Sequence, residues 1–259
     1  MLAYCLSFNM IAQEIMDVHY MDRAPFLYTD GQGNLTGLEH DIILAFKTWF
    51  EIREQKPLIL NFIAHSDFEE FLIAVKNGNK NTIGSGTVTY TDARAKDFKF
   101  AGPYLKNTSL LVSYPGKPFA QASFLNNSET TLFVTKQSVH EKHMQTYLST
   151  NSNLTIETVG SQTDIPALLR QNKEAYGWMD LVFYWHQVQQ QPENALQLHR
   201  NLMKQDEAFH FVTPKKNTWH KHLYYFFNDG FGFTQTKQYH AIISKYLGEE
   251  VVPYTEMNP

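Results

Sequence analysis

The 259-residue chain sets 22 Lys and Arg against 26 Asp and Glu, for a formal net charge of -4 and an isoelectric point near 6.2. No global positive field draws it to a phosphate backbone or an anionic lipid face. With 43% hydrophobic and 14% aromatic residues it has apolar material for one large or two modest cores, yet no run approaches the roughly 20 apolar residues of a membrane helix.

The first twelve residues, Met1 to Ala12, are uncharged and apolar and end in a small side chain. They fit the tail of a secretory signal without its basic start, and they fit an ordinary first strand or helix equally well. The single cysteine, Cys5, lies inside this segment, so a chain cut after Ala12 forms no disulfide. Ile15 to Tyr20 reads as a strand, Pro25 to Tyr28 as an extended segment, and Thr29 to Asn34 as a glycine-rich hairpin turn. From Glu39 to Arg53 apolar residues recur at helical spacing behind acidic Glu39 and Asp41, which predicts an amphipathic helix. Leu58 to Ile63 is a strand. Asp67 caps a helix to Lys76 that Asn77-Gly78-Asn79 stops, and strand Thr82 to Tyr90 follows. Helix, polar stop and strand return in Asp164 to Arg170, Gln171 to Lys173 and Ala175 to Met179, closed by Asp180, consistent with two like-built lobes. Tyr114 to Pro118 and the polar run Asn126 to Thr130 break the pattern between them. Leu110 to Val112 and Phe209 to Val212 read as the strands that cross between lobes, and His222 to Leu247 as two helices split at Gly230 and Gly232. The alternation of helices and strands predicts α/β layers.

The most informative stretch is Gly84 to Arg94, a strand running through a polar turn into a helix expected from about Ala93. Thr91 or Asp92 can cap that helix, and its free amides and dipole make an anion site. Arg94, beside those amides and hydroxyls, is suited to bidentate capture of a carboxylate, the alternative being a solvated arginine after a capped turn. Asp180 is a lone carboxylate in the apolar run Tyr176 to Trp185. It needs a ligand ammonium or the amides of the helix it caps, and the two roles can coexist. His140, His143, His220 and His222 lack a neighbouring Cys or a patterned carboxylate and read as surface residues, so no metal is expected. There is no G-x-S-x-G, no Walker loop and no G-x-G-x-x-G opening a helix after a strand, so no nucleotide cofactor is expected either.

Ala24-Pro25-Phe26 with Gly33 to Asp41, and Thr87 to Arg94 with Phe100 to Tyr104, resemble the P-F…G-x-x-x-G-F-D-x-D and T-x-T-x-x-R…F-S-x-P-Y signatures of the polar amino-acid solute-binding proteins of ABC transporters. The likeness runs from about Ile15 to Gly248. It implies a two-lobed periplasmic-binding-protein fold of type II, each lobe a mixed sheet flanked by helices. Lobe 1 is expected from residues 13–109 and 208–259, lobe 2 from 110–207, with the ligand between them. The resemblance further implies that Thr87 offers a backbone group, that Thr89 binds through hydroxyl or amide, that Arg94 holds the ligand α-carboxylate and that Asp180 takes the α-ammonium. Ser138, in the segment Val134 to Val139, is implied as an added carboxylate contact.

Four positions depart from the signatures. Leu38 and Glu39 are mild changes, and Gln137 stands where the second lobe's loop has glycine, which bears on close backbone approach. Arg23 stands where an aromatic stacks on the ligand, leaving Tyr20 or Tyr28 to replace it. An arginine lining the cleft favours an acidic ligand side chain or an additional carboxylate; one pointing outward is only solvated. The resemblance implies a periplasmic monomer that closes on a small polar ligand, an amino acid, and presents it to an ABC permease in the inner membrane, with no nucleic acid and no catalysis of its own. The rivals are a cyclohexadienyl-dehydratase-like enzyme, with Glu39, Glu141 or Asp180 as its general acid, and a free-standing ligand-sensing domain.

Overall fold

The computed structural model describes residues 13–117, 130–148, 154–200 and 204–257, so the leader Met1 to Ala12, Cys5 and residues 126–129 of the polar run lie outside the described residues. The chain opens with β1 (Glu14–Met21), the short hairpin β2 (Tyr28–Thr29) and β3 (Leu35–Thr36), α1 (Leu38–Glu54), β4 (Leu58–His65), α2 (Phe68–Lys76), β5 (Thr82–Thr89) and the long β6 (Phe98–Ser113). It continues through β7 (Thr130–Thr135), α3 (Val139–Leu148), β8 (Leu154–Val159), α4 (Ile165–Gln171), β9 (Tyr176–Asp180), α5 (Leu181–Gln190) and β10 (Gln197–Leu198). β11 (Lys204–Pro214), α6 (Trp219–Asn228), α7 (Lys237–Leu247) and α8 (Val252–Thr255) complete it. Among the described residues no helix is long and apolar enough to cross a membrane.

The main sheet runs in the order β4-β1-β5-β11-β6-β9-β7-β8, with β10 added beside β6. Each end is parallel: β4, β1 and β5 at one, β9, β7 and β8 at the other. The two ends are joined through the antiparallel pair β6 and β11. β6 pairs with β11 from Phe98 to Ser109 and with β9 from Ser109 to Ser113, so it leaves one partner for the other at Ser109. Leu110 to Val112 and Phe209 to Val212 are strand as expected, but both belong to much longer strands, and the pairing of β6 with β11 lies N-terminal to Leu110.

Strand β5 is buried along its whole length although it carries Thr82, Ser85, Thr87 and Thr89. Two missing side chains make this possible. A Cβ on Gly84 would lie 2.8 Å from Val75 and Val212, and one on Gly86 would lie 2.8 Å from Phe71. The glycines therefore let α2 press Phe71 and Val75 directly onto the strand. Asp67 caps α2 as expected, its carboxylate accepting from the Glu70 amide at 3.0 Å. One expected helix does not form. After Thr91 the chain makes a single 3-10 turn over Arg94–Lys96 before β6 begins at Phe98, so there is no helix dipole at Arg94. Thr91 still caps the Arg94 amide through its hydroxyl, at 3.1 Å.

Helix α1 begins without a side-chain cap. Its first amides are satisfied by the turn before it, Leu38 donating to the Pro25 carbonyl at 2.9 Å and Glu39 to Phe26 at 2.7 Å. Gly37 makes this approach possible, because its φ of 123° is open to glycine and an added Cβ would fall 2.2 Å from the Phe26 oxygen. Gly37→Ala is expected to lower unfolding free energy by about 1–3 kcal/mol from backbone conformation alone, measured by urea titration; an unchanged midpoint would show that the turn relaxes freely.

Candidate functional site

The site is built on a carboxylate of α1 and the strands that bond to it. Glu39, on the first turn of α1, is fully buried. It accepts from Ser85 Oγ at 2.7 Å, from the Thr87 amide at 3.1 Å and from the Tyr104 hydroxyl. Burial pushes its pKa up against the pull of these three donors and of the Arg23 charge. Thr87, held by this bond, has φ 51°, which is uncommon for a β-branched residue. There five residues of β5, Gly84 to Val88, span the same stretch as three of β11, Val212 to His210, so the strand bulges and turns Thr87 into the cavity.

This cavity of about 30 Å³ lies between the two ends of the sheet, room for about two waters. Thr87, Thr89, Arg94, Ser138, Asp180 and Arg23 all line it, together with Phe68 and His140. Arg94, buried, donates to the Thr89 carbonyl at 2.9 Å and, across the cavity, to the Gln137 carbonyl at 2.7 Å. Burial lowers its pKa to about 10 against the pull of Glu207. Gln137 adopts the left-handed φ of 59° that the absent glycine would supply, and its carbonyl meets Arg94. Ser138 accepts the Glu141 amide at 3.1 Å, which fixes the start of α3 beside it. Arg23 faces inward and not to solvent: it is 6% exposed, and Nη2 donates to the Gly86 carbonyl at 2.9 Å and to Thr87 Oγ1 at 2.5 Å.

Tyr20 is not brought to the cavity. It packs edge-on against Phe62 in the core, a ring separation of 6.2 Å, because β1 directs it to the α1 face. The aromatic surfaces at the site are Phe68, under both guanidiniums at 5.8 Å from Arg23 and 5.4 Å from Arg94, and Phe183, 4.8 Å from Arg23.

The opposite wall is anionic. Asp180 stands at the N-cap position of α5 but makes no side-chain cap bond. Its oxygens accept instead from Asn107 and Gln162 side-chain amides, each at 2.6 Å. Glu207, on β11, accepts from Thr89 Oγ1 and Asn107 at 3.3 Å through Oε2, and its buried Oε1 has no hydrogen bond but faces His140. His140 corrects the surface reading: it is 5% exposed, with Nε2 3.5 Å from Asp180 and 3.7 Å from Glu207. His220 and His222 are half-buried, His220 against the Phe100 carbonyl, while His143 is exposed. Burial alone would depress His140, but Glu207 and Asp180 outweigh it and hold its pKa above the ordinary value. Burial raises Asp180, while the neighbouring His140 and the hydrogen bonds of Asn107 and Thr89 overcome burial and lower Glu207. Among the described residues, His140, Asp180 and Glu207 are also the one group whose donor atoms, within 4.8 Å of one another, could hold a metal ion. The same arrangement suits a single organic cation between two carboxylates.

The match to known proteins follows these features. Residues 18–249 fit the family of bacterial extracellular solute-binding proteins, family 3. The chain belongs to that family. No protein of curated function matches it in sequence. Among solved structures it is similar to the arginine-, lysine-, histidine-binding protein of the thermophilic bacterium Geobacillus stearothermophilus, with 16% identity, 93% of this chain and 99% of that one covered, and TM-score 0.71. It is also similar to the cysteine-binding protein of Campylobacter jejuni, at 17% identity over 90% of this chain and 89% of that one with TM-score 0.69. The arginine-specific periplasmic binding protein of Salmonella typhimurium shows 12% identity over 90% and 99% with TM-score 0.71. The fold is therefore the two-lobed type II solute-binding fold expected from the sequence, and the compared family-3 structures are binding proteins.

In this family-3 chain the His140 imidazole is expected to titrate above pH 6.5, followed by NMR; a midpoint below that would show burial outweighing the carboxylates. A folded value above the unfolded one contributes stability that is complete below the unfolded pKa and is lost as pH rises through the folded one. His140→Gln should thus cost most unfolding free energy near about pH 5 and progressively less toward about pH 8.

Proposed function

We propose that this protein captures an α-amino acid by lobe closure, in the periplasm, for delivery to an ABC permease, and that it performs no chemistry on its ligand. The observation that carries this reading is the separation of charge across one cavity. Arg94, with Thr89 and Ser138, supplies a cationic, hydroxyl-rich wall for an α-carboxylate, and Asp180 with Glu207 supplies an anionic wall for an α-ammonium. Thr87, turned into the cavity by the bulge, contributes its backbone and hydroxyl.

The lobes divide, in this proposal, at 109/110 and 207/208, giving 13–109 with 208–259 and 110–207. The change of partner at Ser109 and the pairing of Asn107 with Glu207 support that division. A cavity of about 30 Å³ is too small for an amino acid, so the lobes part to admit one and the closed state is favoured when both walls are engaged. Binding is preferred to a dehydratase because two of the candidate general acids lack access. Glu39 is sealed behind Thr87 and committed to three donors, and Glu141 is tied to the Gln137 amide at 2.5 Å outside the cavity.

A thermal-shift panel of the L-amino acids tests the reading, since a ligand bound to the folded state raises the melting temperature. At least one amino acid is expected to stabilise the protein. With that amino acid, Arg94→Ala is expected to weaken binding by about 100-fold or more, given two charge-assisted hydrogen bonds of about 1.5–3 kcal/mol each. Asp180→Ala should cost the amino acid far more than its amine-free analogue, measured by calorimetry. Retained affinity in the first variant, or equal losses in the second, would remove those residues from the ligand.

A further inference from the structure

The amino-acid reading leaves one buried charge at the site without a counter-ion. The turn that carries Arg23 is fixed at both ends, its amide donating to the Leu27 carbonyl at 3.0 Å and its carbonyl accepting from Phe26 at 3.1 Å. From this turn the side chain runs into the cavity between Phe68 and Phe183. Its hydrogen bonds reach only neutral acceptors, the Gly86 carbonyl and Thr87 Oγ1, and Nε is buried with no acceptor at all. Neither Arg23 nor Arg94 forms an ion pair with a carboxylate of the described residues.

A guanidinium stays charged in proteins, and burying it unpaired is costly. Burial lowers the pKa of Arg23 even though Asp180 and Glu39 pull it up. Neither acid is available to it. The oxygens of Glu39 lie behind Thr87 and are taken by Ser85, the Thr87 amide and Tyr104. Those of Asp180 are taken by Asn107 and Gln162, beside His140. An amino acid with a neutral side chain pairs with Arg94 at one end and with Asp180 and Glu207 at the other, and gives Arg23 nothing. A cationic side chain is repelled.

Resting on the amino-acid reading of this cleft, we infer that the ligand carries a second acidic group, paired with Arg23, and is an acidic amino acid of the aspartate or glutamate type. The geometry supports a short diacid, because both guanidiniums lie within 6 Å of the same Phe68 ring. The Nε–H of Arg23, buried with no acceptor while Nη2 donates to Gly86 and Thr87, is a charged donor left for a carboxylate.

Calorimetric titration of the full chain with L-glutamate, L-aspartate, L-glutamine, L-asparagine, glutarate and succinate tests this. The acidic member of each amino-acid pair is expected to bind at least about tenfold tighter than its amide. In Arg23→Gln that ratio should fall below about threefold, with Arg23→Lys between. If Arg23→Gln shows no cooperative thermal transition, the wild-type ratio and Arg23→Lys decide. An amide that binds as tightly as its acid, or a ratio that survives Arg23→Gln, overturns the inference and leaves the amino-acid reading standing. Binding of glutarate or succinate without any amino acid overturns that reading while keeping the second carboxylate. Silence across the panel overturns the acidic-ligand inference and leaves the amino-acid reading to the thermal-shift panel.

Discussion

The site is organised around the buried carboxylate of Glu39. Placed on the first turn of α1, it gathers a hydroxyl from Ser85 and an amide from Thr87, both on β5, and the hydroxyl of Tyr104 on β6. A carboxylate fully removed from water is tolerated only when such donors replace its hydration. Three segments far apart in sequence are therefore locked to one point, and Thr87 is held in its left-handed conformation at the cavity floor. Gly37 and the carbonyls of Pro25 and Phe26 tie the Arg23 turn to the same helix start. The position of Arg23 thus derives from the anchor that sets Thr87.

The second constraint is the long antiparallel pair. β6 and β11 carry the chain from one parallel end of the sheet to the other, and Asn107 faces Glu207 where they do so. Asn107 donates to both Asp180 and Glu207, so an amide on a crossing strand reads the anionic wall of the cavity. Further contacts link the two parallel ends: Lys136 pairs with Glu69 at 2.6 Å, the Phe68 amide donates to the Gly160 carbonyl at 3.1 Å, and Arg94 reaches Gln137. Exposed pairs such as Lys136 with Glu69 contribute little on their own.

Much of this was legible in the sequence because local rules carried it. Periodicity marked α1 and α2, and the break at Gly230 and Gly232 separated α6 from α7. The helix expected at Ala93 failed because Thr91 supplies a cap with no room behind it: β6 starts at Phe98, after one turn. His140 was invisible for a different reason. In sequence it is one of several histidines near a helix start, and only the meeting of α3, β9 and β11 puts two carboxylates beside it. Glu207 was hidden in the polar run Lys204 to Glu207, whose strand character depends on pairing with β6 across about a hundred residues.

The unpaired guanidiniums bear on closure as well as on selection. A ligand shifts a conformational equilibrium only by its difference in interaction free energy between the two states. In the proposed mechanism, closing without ligand removes Arg23 and Arg94 from water and returns only neutral acceptors. That is a cost borne by the closed state alone, because open lobes leave both cations hydrated. A carboxylate bound at each guanidinium cancels the cost in the state that imposes it. The anionic wall behaves differently, since His140 already sits 3.5 Å from Asp180 and 3.7 Å from Glu207 before any ligand arrives. An incoming ammonium shares Asp180 and Glu207 with His140, whereas each incoming carboxylate meets a guanidinium that no carboxylate pairs. On these terms each carboxylate of the ligand relieves an unmatched guanidinium on closure, and its ammonium adds the charge pairing that Asp180 and Glu207 offer.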